Sequence, residues 1–178
     1  MGRVRNRQRG QGLVEFAIIF PVLLLMFGVV VNGAFALETS NSLANSTRIA
    51  ARYATINPTA WSNAASPPDN TIQGQLMQNK GIVSNLTTQQ ISISYFDMSV
   101  APAVECGYYD PQDGEYTVPA DYTGPENTQA TCVVANNEVR VGVNTTYNLL
   151  TGPLDSGFPG SLPISGSTTM LIEVTPTS

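Results

Sequence analysis

The sequence predicts an α+β fold in which a long N-terminal helix, transmembrane in its first half, packs on a small antiparallel sheet. Three observations carry this expectation. Phe16 to Val31 is an unbroken run of sixteen apolar or helix-tolerant residues, no proline or glycine falls between Ala34 and Asn57, and three later stretches alternate apolar and polar residues. With 178 residues the chain has room for an anchor and one modest core, and too few for two domains with substantial cores.

The anchor comes first. Extending the run to Leu13–Leu37 gives 25 positions interrupted only by Glu15 and Asn32. As a helix these reach roughly 37 Å, more than the roughly 30 Å of a hydrocarbon core. Arg3, Arg5, Arg7 and Arg9 precede the run and supply half of the eight basic residues. Basic residues before an apolar segment hold its N-terminus in the cytoplasm, so the expected state is single-pass in the cytoplasmic membrane with the C-terminal domain outside. Beyond Leu37, four basic residues face twelve carboxylates, a net charge of −8. Phosphate binding needs clustered basic residues, so the lipid bilayer is an expected partner and nucleic acid is not.

Three fates are open to such a segment. It stays as an uncleaved anchor, or it is a secretory signal cut after Ala36 in the Ala34-Phe35-Ala36 site, or it is a leader cut after Gly10 that leaves the apolar helix on the mature protein. Glu15 favours the last. A carboxylate at the membrane-entry side gives a secretory signal nothing, and within lipid it is kept where it finds a partner. Otherwise Glu15 sits among headgroups.

The stretch Gly10-Gln-Gly-Leu-Val-Glu-Phe-Ala-Ile-Ile-Phe-Pro-Val-Leu-Leu-Leu resembles the opening of TadE-like proteins, the pseudopilins of tight adherence pili, with Pro21 at the proline of their apolar helix. Ala50-Ala-Arg-Tyr-Ala54 resembles the end of the family's long helix. Val139 to Tyr147, a proline-containing connector and Ser167 to Glu173 resemble its closing strand, loop and strand. The resemblance implies a pilin-like architecture and a type IV prepilin signal. A prepilin peptidase would then cut between Gly10 and Gln11, and the new Gln11 amine would pair with Glu15 on the same or a neighbouring subunit. The implied partners are that peptidase and other pilin or pseudopilin subunits.

Past the bilayer the helix is expected to continue to Asn57 and stop before Pro58, about 45 residues in all. Leu43, Ala50, Tyr53 and Ala54 share one face, interrupted by Asn41, Asn45 and Arg48 on others. Gly28, Asn32, Ala36, Ser40 and Ala44 form a narrow stripe of small residues. Trp61 to Asn70, with Pro67-Pro68, reads as a loop, and Thr71 to Lys80 as a short helix ended by Gly81. The strands are expected at Ile91-Ile93-Tyr95, Val139-Val141-Val143 and Thr168 to Val174.

Between the first two strands lies an insert, residues 101–135, rich in tyrosine, proline and acid and bracketed by Cys106 and Cys132. In an exported domain the two thiols are expected to form a disulfide. Tyr108, Tyr109, Tyr116 and Tyr122 put four of the seven tyrosines in the insert, and amphipathic rings in an exposed loop often mark contact surfaces, so adhesion or subunit contact is one reading of it and a solvated loop the other. Asp110, Asp113 and Glu115 do not follow an EF-hand spacing, so no metal site is expected. The chain has no histidine and no glycine-rich phosphate loop after a strand, and no cofactor or catalytic residue is expected.

The expected organisation is therefore a basic leader over residues 1–10, a transmembrane helix over 11–37 and an exported α+β domain over 38–178. The expected role is structural, in assembly of a tight adherence (type IVc-like) pilus. The alternative is a secreted or membrane-anchored extracytoplasmic binding or adhesion domain with no role in a filament.

Overall fold

The computed structural model describes residues 8–83, 85–122, 128–149 and 160–173. Arg3, Arg5 and Arg7 of the leader, residues 150–159 of the connector and Val174 lie outside the described residues.

Helix α1 runs without a break over Gln8–Ile56, 49 residues. It ends where expected. The Asn57 amide makes the last helical bond to the Tyr53 carbonyl, at 2.9 Å, and Pro58 then disfavours helical backbone at the residue before it. The second half of α1 buries Thr39, Leu43, Ser46, Thr47, Ala50, Ala51 and Ala54, spaced by one, three or four residues along one face. Most of these side chains are small, which lets a sheet approach closely. The hydroxyls cost little in this setting, because Thr39, Ser46 and Thr47 donate back to the carbonyls of Phe35, Leu43 and Ala44 at 2.8, 2.9 and 3.1 Å.

The surface that closes on this face is a five-stranded antiparallel sheet. In chain order the strands are β1 (Ile91–Asp97), β2 (Val104–Tyr109), β3 (Tyr116–Thr117), β4 (Glu138–Asn148) and β5 (Ser161–Leu171), and the spatial order is β3-β2-β1-β4-β5. Ile93 pairs with Val141 on one side and Tyr109 on the other, and Val139 pairs with Met170. Alternation sends Ile91, Ile93 and Tyr95 of β1 and Val139, Val141 and Val143 of β4 into one core with α1. Strand β5 runs alongside α1 in the same direction. Glu173 N–H bonds the Thr55 carbonyl at 3.0 Å, Thr168 meets Thr47 at 3.1 Å, and a side chain on Gly166 would touch Leu43 and Ala44.

Helix α2 (Ile72–Gln78) is capped by Thr71, whose hydroxyl accepts from the Gly74 amide at 3.0 Å, and it buries Ile72 and Leu76. The turn after it needs Gly81. Its φ is +60°, and an added Cβ would collide with Ser42 Oγ, which donates to the Lys80 carbonyl at 2.9 Å.

Two expectations are corrected. Residues 101–135 are not simply a loop, since they contribute β2, β3 and the short helix α3 (Gln129–Cys132), which raises the sheet from three strands to five. The last strand spans Ser161–Leu171 rather than 168–174; Ile172 is buried beyond its end, with its amide on the Asn137 carbonyl at 2.8 Å. The cause of the first correction is a β-bulge. Tyr95 pairs with Gly107 but Phe96 with Glu105, so Cys106 is the extra residue, and the consecutive residues Cys106 and Gly107 are both buried. Two-residue alternation is lost at that point.

The bulge aims Cys106 at α3, where it is joined to Cys132 in a disulfide with Cα atoms 5.7 Å apart. The bridge closes a loop between residues 26 apart in sequence. Replacing both cysteines by alanine is expected to lower unfolding stability by about 2–4 kcal/mol, through the freedom regained by the unfolded loop. Urea titration of the disulfide-bonded protein and the variant checks this, and a loss well below that range would show that the bridge constrains little.

Candidate functional site

Among the described residues, no other element covers the apolar stretch of α1. From Leu13 to Val30 its large apolar side chains are exposed, and the segment is long and apolar enough to cross a membrane. Pro21 lies inside it without breaking the helix, as membrane helices tolerate. Phe16 and Phe20 meet one turn apart, with ring centroids at 5.3 Å and planes tilted by 30°.

Gly10, Gln11 and Glu15 all lie in the first turns of α1, so the proposed cleavage junction falls within the helix near its N-terminal end. Glu15 is exposed, and Gln11 Nε2 donates to its Oε1 at 3.3 Å across one helical turn. In the uncleaved chain the Gln11 backbone nitrogen is an amide, and an amine at this position would arise on cleavage. The small-residue stripe splits in two. Asn32 is buried, with Nδ2 on the Gly28 carbonyl at 2.8 Å, while Gly28, Ala36, Ser40 and Ala44 are half-buried.

The insert is different from what its composition suggested. Tyr109 is buried in the core, and the Tyr116 ring stacks on Trp61 at 6.1 Å and 11°. These two rings therefore hold the insert to the head and offer little free surface; Tyr108 and Tyr122 are half-buried. Behind them Tyr95, fully buried, accepts from Trp61 Nε1 at 2.7 Å and donates to the Pro58 carbonyl. Burial pushes the Tyr95 and Tyr116 phenols well above their ordinary range, so both stay neutral donors. Gly107 is required here, because an added Cβ would collide with the Tyr116 ring.

Asp110 closes a turn. Its carboxylate accepts from the Gln112 amide at 2.8 Å and its carbonyl from Gly114 at 2.9 Å, where φ is +75°. Among the described residues no group of three or more His, Cys, Asp or Glu side chains is placed to hold a metal ion. Pattern reading did not find a cavity of about 310 Å³ where α1 leaves its apolar half, lined by Phe35, Thr39, Ile82 and Tyr147 among others. Its parts come from three distant stretches, so no local spacing marks it.

Residues 10–52 match the family model described as TadE-like protein. The match covers α1 from Gly10 to Arg52, so it spans both the bare apolar half and most of the packed half. The C-terminal stretches from Val139 to Tyr147 and from Ser167 to Glu173 lie outside it. No curated protein and no solved structure gives a significant match.

The head also carries a carboxyl whose titration is shifted, that of Asp97. The hydroxyl and amide of Ser99 hold the Asp97 carboxyl below its ordinary value of 3.8, helped by Tyr122 and opposed by burial. The amide bond is 2.8 Å and the Tyr122 contact 3.4 Å. A carboxyl lowered in the folded state contributes stability above its unfolded pKa, and this is lost as pH falls through the folded value. Asp97→Ala is expected to cost at most about 1 kcal/mol at neutral pH, solvent screening keeping the loss small, and less at a pH acid enough to protonate the folded carboxyl. Urea titrations of both proteins at the two pH values check this; an equal loss at both would remove the ionic role.

Proposed function

We propose, from the TadE-like segment at residues 10–52, that this chain is a structural minor pilin or pseudopilin subunit, anchored in the cytoplasmic membrane and exported. In this reading it acts in the assembly of a tight adherence pilus. The observation that supports it most is the division of α1. One uninterrupted helix carries Gly10, Glu15 and a bare apolar half at one end, and is built into a folded head at the other. A helix of this kind fixes a head to whatever its apolar half assembles into.

The roles of the N-terminal residues follow from the chemistry. A prepilin peptidase on the cytoplasmic side cuts after Gly10, whose lack of a side chain lets the backbone enter the enzyme's site. The new amine of Gln11 is a cation at the edge of lipid, and Glu15 is an anion one turn along, about 6 Å in rise. Both are costly in hydrocarbon, and pairing with each other, within one subunit or between two, offsets part of that cost. The apolar run inserts without Glu15, so the carboxylate serves contact between subunits. The disulfide fits a head that matures outside the cytoplasm. The role is structural, and prepilin peptidase, other pilin subunits and the lipid bilayer are its partners.

Glu15→Val is expected to give a membrane-bound, still processed subunit whose crosslinking to partner subunits falls about tenfold or more, the loss of one partly buried ion pair. Gly10→Leu is expected to leave the ten-residue leader on the protein by intact mass. Normal crosslinking by the first variant would end the ion-pair role, and an unchanged mature mass for the second would end the prepilin reading.

A further inference from the structure

The end of the head nearest the apolar half of α1 exposes apolar side chains from four separate elements. Phe35 on α1 is 47% exposed, Ile82 after α2 is 53% exposed and Leu162 on β5 is 37% exposed. Tyr147, paired with Leu162 across the β4–β5 ladder, is half-buried. Phe35, Ile82 and Tyr147 line the same cavity of about 310 Å³, so they lie at one level along α1. The turn that carries Ile82 is held against α1, because the preceding Lys80 carbonyl is bonded to Ser42 and an added Cβ on Gly81 would meet the same side chain.

That level can be placed against a bilayer. If the hydrocarbon core begins at Phe16, about 20 helical residues fill its roughly 30 Å and end near Phe35. The headgroup layer beyond is about 5–8 Å thick, a further four or five residues, and reaches about Ser40. The apolar patch is thus continuous with the exposed apolar face of α1 and begins where the hydrocarbon ends. None of the cavity's lining residues is charged, and the hydroxyl and amide groups of Thr39, Thr146 and Asn148 supply its polar side. An apolar body with a neutral polar rim suits the interface of a bilayer, where tyrosine in particular is enriched.

We infer that the membrane-proximal end of the head is a second lipid contact, with Phe35, Ile82, Tyr147 and Leu162 seated in the outer-leaflet headgroup layer. This rests on the reading of α1 as a membrane anchor. The contact sets the height and tilt of the head over the bilayer. A subunit leaving the membrane must break it, so it opposes extraction and holds an unassembled subunit in place. Because no charge lines the cavity, the contact does not select anionic lipid.

The test uses the full chain, disulfide intact, in phosphatidylcholine vesicles, with one added cysteine carrying an environment-sensitive fluorophore. The positions are Phe27→Cys in the apolar half, Ile82→Cys in the patch and Met98→Cys, 43% exposed at the far end of the head. Leu162→Cys is a second probe of the patch should the Ile82 variant fold poorly. Quencher lipids bear a nitroxide on the headgroup or near the end of an acyl chain. The patch probes should be quenched about twofold or more by the headgroup nitroxide and much less by the deep one, the Phe27 probe by the deep one, and the Met98 probe by neither. Quenching at Phe27 without quenching at Ile82 or Leu162 would overturn the contact and leave the anchor standing. No quenching at Phe27 would overturn the anchor, and the contact with it. A patch signal present only in vesicles containing phosphatidylglycerol would assign the contact to charge and overturn it as stated.

Discussion

The head depends on a close approach between the second half of α1 and the β4–β5 side of the sheet. That approach is possible because the helix face is built from Ala50, Ala51, Ala54, Ser46 and Thr47, with Leu43 as its one large aliphatic residue, and because β5 offers Gly166 opposite Leu43 and Ala44. Bulkier residues here would hold the sheet off and open the core behind Ile93, Val141 and Tyr95. Full burial of a side chain such as Leu43 is worth about 1.5–3 kcal/mol, so the interface gains from continuous contact along α1 more than from any single anchor. Thr47 to Thr168 and the Thr55 carbonyl to Glu173 then fix the register between helix and edge strand.

From that seam the rest follows outward. Asn137, buried, ties the far end together: it accepts from Met98 N–H at 3.2 Å, donates to the Cys132 carbonyl at 2.8 Å and accepts the Ile172 amide through its own carbonyl at 2.8 Å. The same residue thus touches β1's exit, the disulfide helix and the chain's last described turn. Trp61, Tyr95 and Tyr116 close the other side over the insert. Rigidity at both ends matters for the proposed role, since a head that flexed on α1 would not transmit a fixed geometry to an assembly held by the apolar half.

The parts legible in the sequence were those whose signal is local. The extent of α1 was bounded by Pro58 and by the absence of breakers, α2 by Thr71 and Gly81, and β1 and β4 by clean alternation. The packed half of α1 looked only weakly amphipathic, because buried Ser46 and Thr47 count as polar in any pattern although their hydroxyls are satisfied by the helix's own carbonyls. β2 was hidden by its bulge at Cys106, and β3, two residues long, has no periodicity to read. Of the four tyrosines that suggested an exposed surface, Tyr109 proved to be core and Tyr116 is partly buried against it, since a phenol with a buried partner, such as Tyr116 on the Cys106 carbonyl at 3.1 Å, is indistinguishable in sequence from one facing water. Of the candidate site, Gly10, Gln11 and Glu15 could be named from spacing alone, whereas the cavity at the membrane exit joins residues as far apart as Phe35 and Asn148.

The central claim is that cleavage after Gly10 leaves α1 from Gln11 onward on the mature protein, so that its apolar half serves in the finished subunit rather than being discarded on export. The residue at the start of the native membrane-bound protein tests this most directly. N-terminal sequencing of the chain purified from the cytoplasmic membrane should begin at Gln11, one residue after the proposed cleavage and four before Glu15. A sequence beginning at Leu37 would mean that the apolar half had been removed, and Met1 that no processing occurs; either would contradict the account.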